Sequence, residues 1–133
     1  MQVVIGGAYS GKRQFVRDNW SSFQLISAYE QKDINEPVIE ANVVYEGFEI
    51  WVGQLLESGK TNQEIIEWFK QWLHSLDHRE NIVLIMLEIG KGIVPMEERN
   101  RRLRDVVGWI QQEAVKQADN VTYIWHGLAK TMK

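Results

Sequence analysis

Residues 82 to 87 read IVLIML. Six apolar residues in a row, with no polar residue at every second place, make a strand that is apolar on both faces. Such a strand belongs in the middle of a parallel sheet covered on both sides. Shorter runs of the same kind precede and follow it: Val3-Val4-Ile5, Gln24 to Ala28 (QLISA), Val43-Val44-Tyr45 and Val121 to Trp125. Between them lie helical patterns. One starts near Gly11 and carries Phe15, Val16 and Trp20, and a second runs from Phe48 to Glu57. A third starts at the capping box Thr61-x-x-Glu64 and carries the stripe Ile65, Ile66, Phe69, Trp72, Leu73 and Leu76. The last, Glu97 to Ala118, turns Leu103, Val106, Val107, Ile110, Ala114 and Ala118 inward. Residues 29 to 41 are polar, contain Pro37 and read as loop. Five strands alternating with helices predict a three-layer α/β fold with a mainly parallel sheet.

The 133 residues suit one domain, and no Pro/Gly/Ser-rich linker or repeat divides residues 1–133. A formal net charge of −3 argues against a general affinity for nucleic acid or for an anionic membrane. No run approaches the roughly 18 apolar residues of a membrane span. The opening MQVVIGG lacks the basic segment and apolar length of a signal peptide. The absence of cysteine excludes disulfides and thiolate metal sites and agrees with a cytoplasmic setting.

The chemistry gathers where the first strand ends. Gly6, Gly7, Ala8, Tyr9, Ser10, Gly11 and Lys12 fit the pattern Gly-x-x-x-x-Gly-Lys, which carries weight only between a strand and a helix, as here. In that setting backbone N–H groups ring a phosphate, the helix N-terminus adds its dipole, and Lys12 reaches the outer phosphates of ATP or GTP. The plainer alternative is a Gly-rich turn with no ligand. The next residue departs from the pattern: it is Arg13, where Ser or Thr would ligate Mg²⁺ directly. A guanidinium has no acceptor for a cation. Three possibilities stay open. Mg²⁺ is held through water by carboxylates elsewhere, catalysis is crippled, or Arg13 adds its own charge to the phosphates.

Glu46 and Glu88 each follow a strand, the edge at which ligands sit in open α/β sheets. Either is placed to hold Mg²⁺ through water or to orient an attacking hydroxyl, or simply to cap a loop. Beyond Glu88 a Gly-x-Gly-Ile-Val-Pro loop leads into a helix with Arg99, Arg101, Arg102 and Arg104. An arginine run is ordinarily a solvated face, but this one lies close enough in sequence to the strand end to meet a phosphate. His74 and His78, four apart, suggest either a metal pair or, more plainly, a solvated helix end.

The segments GGAYSGK (6 to 12), E-x-G-x-G-I-V-P (88 to 95) and R-x-x-R-D-x-x-G (101 to 108), with Gln112, Ala118-Asp119 and Gly127, resemble the adenosylcobinamide kinase/adenosylcobinamide-phosphate guanylyltransferase family of cobalamin biosynthesis. Order and spacing agree over residues 1 to 20 and 82 to 133. The resemblance implies a P-loop NTPase-like fold and a homo-oligomer, typically a trimer. It implies a corrinoid substrate: phosphorylation of the aminopropanol hydroxyl of adenosylcobinamide by a nucleoside triphosphate, then GMP transfer through a guanylyl-histidine. It also implies that Gly6, Gly7, Ser10, Gly11 and Lys12 bind the triphosphate. Glu46 and Glu88 match the family's strand-ending acids, and Arg101, Arg104 and Asp105 its arginine-aspartate helix. The departures are specific. The interval that carries the guanylylated histidine corresponds to residues 29 to 42, which contain neither histidine nor arginine, and the chain is shorter than the family's usual length. Gln111 stands where Asn usually precedes Gln112.

Six tryptophans complete the picture. Trp68 and Trp72 lie on a helical stripe and are expected in the core. Trp51, Trp109 and Trp125 are expected to form a flat apolar face, a subunit interface or a platform for a corrin ring.

Overall fold

The computed structural model describes residues 1–76, 81–88 and 98–133, with the side chain of Arg99 excepted. The Gly-Ile-Val-Pro loop, His78 and the helix start at Glu97 therefore lie outside the described residues. In chain order the elements are β1 (Gln2–Gly6), α1 (Lys12–Asn19), β2 (Gln24–Ser27), β3 (Val43–Glu46), α2 (Phe48–Glu57) and α3 (Asn62–Ser75). They continue with β4 (Ile82–Leu87), α4 (Glu98–Gln117), β5 (Asn120–Trp125) and β6 (Leu128–Thr131). A 3-10 turn, Ala28–Glu30, follows β2.

The sheet has the order β2-β3-β4-β1-β5-β6. Its first five strands run parallel, and β6 pairs antiparallel to β5. The run at 82 to 87 occupies the interior, between β3 and β1, and Ile82 to Met86 are buried throughout. Strand alternation sends Val4, Val44, Val83, Ile85 and Ile124 to one face, where Val16 of α1 covers them. Val3, Val43, Tyr45, Leu84, Met86 and Val121 face the other way, into a larger cluster built with α2, α3 and α4. The result is the expected three-layer α/β arrangement, consistent with a P-loop NTPase-like fold.

The larger cluster is rich in aromatic rings. Phe48 meets Trp51, Phe69 and Trp72 edge-on, with centroids 5.2, 5.9 and 5.6 Å apart. Tyr45 meets Trp72 at 4.9 Å. Each fully buried ring of this kind stabilises the fold by about 1.5–3 kcal/mol. The capping box is present: Thr61 Oγ1 accepts from Glu64 N, and Glu64 Oε1 accepts from Thr61 N, both at 3.1 Å.

Two expectations are corrected. The strand β6 was not foreseen, because all four of its residues are exposed and carry no apolar alternation to read. Trp51 does not join an open apolar face. It is buried, and its indole N–H donates to the Lys32 carbonyl at 3.0 Å. Trp109 and Trp125 are exposed. Among the described residues no helix is long and apolar enough to cross a membrane.

Candidate functional site: a glycine-rich loop beside an ion pair

The loop between β1 and α1 is shaped by close contacts. A Cβ at Gly6 would stand 2.5 Å from Ser10 Oγ and 2.6 Å from the Ile124 carbonyl, so only glycine fits there. Ser10 N donates to the Gly7 carbonyl at 3.3 Å, and Lys12 Nζ reaches back to the same carbonyl at 2.5 Å. Gly11, at φ 97°, starts α1 without a side-chain cap. The first N–H groups of the helix therefore have no side-chain acceptor at the cap, the arrangement that suits an anion. Tyr9 stands fully exposed at the tip, and Ser10 Oγ is buried with no hydrogen-bond partner among the described residues.

The loop forms one wall of a cleft of about 740 Å³. Ala8 to Gln14 line it together with Tyr29, Glu46, Glu49, Ile85 and Leu87. Glu46 ends β3 on the side of the sheet that α1 covers, and it is buried. Arg13, in the first turn of α1, donates from its guanidinium to Glu46 Oε1. That hydrogen bond is the main cause that raises the Arg13 pKa further. The Tyr29 hydroxyl donates to Glu49 Oε2. Burial first, and then this bond, pushes the Tyr29 phenol well above its usual range. Burial lowers the Lys12 pKa, with Glu49 and Glu46 acting in the opposite direction.

The structure separates the two strand-ending carboxylates. Glu46 lines the cleft. Glu88 continues the row of Leu84 and Met86 towards the opposite face, where its Oε2 accepts from the Tyr123 hydroxyl at 2.5 Å. Its backbone N–H extends the sheet by donating to the Gly6 carbonyl at 2.9 Å. None of Arg101, Arg104 and Asp105 lines the cleft. On the same helix Arg102 is a packing residue that donates to Asn62 Oδ1 at 3.1 Å and to the Lys60 carbonyl at 3.3 Å. Neither His74 nor His126 lines the cleft.

Tyr29, Glu49 and Gln14 line the cleft without having been singled out in the sequence. A signal existed for Glu49: it follows Glu46-Gly47 by two residues, in the first turn of a helix that starts at the same sheet edge. Tyr29 sits in what reads only as polar loop.

The side chains present do not fit a directly held Mg²⁺. Such an ion needs oxygen donors in a near-octahedral set. Here a guanidinium follows Lys12, Glu46 is already paired with it, and Glu49 already accepts from Tyr29. Among the described residues no group of three or more acidic or histidine side chains gathers.

Residues 13–132 match the family model described as cobinamide kinase / cobinamide phosphate guanyltransferase. A curated relative, the bifunctional adenosylcobalamin biosynthesis protein CobP of Pseudomonas aeruginosa, is 36% identical over 52 residues. That stretch is 39% of this chain and 30% of the relative's length. The loop at 6 to 12 lies ahead of the family match, so its role rests on geometry. With nearly the whole chain from α1 to β6 matched, this protein belongs to the cobinamide kinase / cobinamide phosphate guanyltransferase family.

Proposed function

We propose that this chain is a nucleoside-triphosphate-dependent kinase of the adenosylcobinamide type, acting in cobalamin biosynthesis or salvage without the guanylyl-transfer step. One observation carries this reading. In a member of this family, the loop at 6 to 12, Lys12 and a buried strand-ending carboxylate, Glu46, converge on one cleft.

The reaction is an in-line phosphoryl transfer. The substrate hydroxyl oxygen attacks the γ-phosphorus of ATP or GTP, the bond to the β-phosphate oxygen breaks, and the nucleoside diphosphate leaves. The protein's contribution to such a transfer is positioning and charge stabilisation. Loop amides and the start of α1 hold the β- and γ-phosphates. Lys12 exchanges its contact with the Gly7 carbonyl for a phosphate oxygen. Glu46, held in place by Arg13, is the acceptor for the hydroxyl proton. The reading without the guanylyl step is supported by residues 29 to 42, which hold no histidine.

A second reading has its own support. The ion pair between Arg13 and Glu46 suits a nucleotide-binding or assembly subunit that no longer turns over, one that associates with copies of itself. Exposed Trp125, Leu128 and Met132 on the β5–β6 edge would suit that association. Titration calorimetry with ATP and GTP, followed by a phosphorylation assay on cobinamide, separates the two. Binding with formation of cobinamide phosphate supports the kinase. Binding without product supports the subunit. No binding of either nucleotide removes both.

A further inference from the structure

The residue that follows Lys12 is a cation, and its partner is the carboxylate best placed to hold a metal. We propose that Arg13 is the resident cation of this cleft. The site takes its triphosphate in the metal-free form, and Glu46, besides facing the substrate hydroxyl, aims the guanidinium. The proposal rests on the reading of residues 6 to 12 as a triphosphate loop and adds the ionic form of the ligand.

Four observations support it. Lys12 and Arg13 are consecutive at the start of α1, and both side chains line the cleft. A carboxylate buried as deeply as Glu46, 4% exposed, needs a partner, and Arg13 supplies it. The guanidinium carries five N–H donors in a rigid fork, and Glu46 is reached through one terminal nitrogen. With 35% of its side chain exposed, Arg13 keeps donors for phosphoryl oxygens, which guanidinium matches in bidentate geometry. Finally, a divalent ion bridging the outer phosphates here would have to displace the guanidinium from Glu46 or sit beside it. In a partly buried site, like charges at that range oppose each other strongly.

The test is calorimetric titration of the whole chain with inorganic tripolyphosphate and with ATP, in EDTA and in excess Mg²⁺. The wild type is expected to bind tripolyphosphate in EDTA, with Mg²⁺ leaving the affinity unchanged or weaker. The double variant Arg13→Ser with Glu46→Gln removes both charges, so no buried carboxylate is stranded. It is expected to lose at least tenfold in EDTA and to recover part of that with Mg²⁺. If the double variant does not fold by circular dichroism, Arg13→Lys is read instead. It keeps the charge but loses the fork, and a several-fold loss in EDTA is expected. A wild type that binds only with Mg²⁺ overturns the proposal, as does a folded variant that binds equally well in EDTA. A wild type that binds no polyphosphate under either condition overturns the triphosphate loop itself, so the two failures are told apart.

Discussion

Gly127, in the turn between β5 and β6, donates its backbone N–H to the Ser10 carbonyl at 2.8 Å. The unforeseen hairpin thereby fastens the loop between β1 and α1. Gly127 Cα also stands 3.4 Å from the place a Cβ on Gly11 would occupy.

Gly127 has φ +78° with open space around the missing Cβ, so Gly127→Ala meets a backbone penalty and no clash. A left-handed conformation costs an L-residue about 1–2 kcal/mol. Urea denaturation should show a loss of that size, and tripolyphosphate titration a weaker loop. Wild-type stability in the variant would show that the turn relaxes without cost.

Lys12→Ala should weaken triphosphate binding by about 1.5–3 kcal/mol, the range for hydrogen bonds to charged groups. The pH dependence has a definite sign. Burial lowers the Lys12 pKa below 10.5 in the free protein, whereas a bound phosphate favours the ammonium. Affinity should therefore fall as pH rises through that lowered pKa, and the fall should vanish in Lys12→Ala. A flat alkaline profile in the wild type would remove Lys12 from the phosphate.

The same shift bears on folding. A lysine whose folded pKa lies below its unfolded value opposes folding below the folded pKa, and stability recovers as pH rises towards the unfolded one. Alkaline denaturation curves of wild type and Lys12→Met should therefore converge as pH approaches 10.5.

Incubation with labelled GTP should leave no acid-labile, alkali-stable guanylyl adduct. Neither His74 nor His126 lines the cleft, and residues 29 to 42 contain no histidine. Mass mapping of an adduct to any histidine would show that the transfer site moved instead of vanishing.

Phe69 is fully buried between Phe48 and Trp72. Phe69→Ala should cost about 3–5 kcal/mol, the range for truncating a buried aromatic ring. Thr61→Ala, which removes the hydroxyl half of the capping box, should cost only about 1 kcal/mol. Thermal unfolding that ranks the two the other way round would mean that α3 is held by its end more than by its face.

The layered fold was legible because its signals are local. An unbroken apolar run at 82 to 87, a capping box at Thr61 and glycines between β1 and α1 each act within a few residues, through burial or backbone geometry. The sequence also placed Lys12 at the start of the helix after β1 and Glu46 at the end of β3, the edge where such folds gather ligands. What it could not decide depended on strand order and face. Arg13 and Glu46 are 33 residues apart and meet only because β3 lies two strands from β1 with Glu46 turned towards α1. Glu88 looked equivalent to Glu46 as a strand-ending acid, yet the alternation of β4 directs it to the other face, onto Tyr123. Tyr29 reaches the cleft through a polar loop, and β6 exists only because β5 offers it an open edge. A carboxylate's place in the chain fixes its strand. Which cation it meets is settled by the packing that brings distant strand ends and helix starts together.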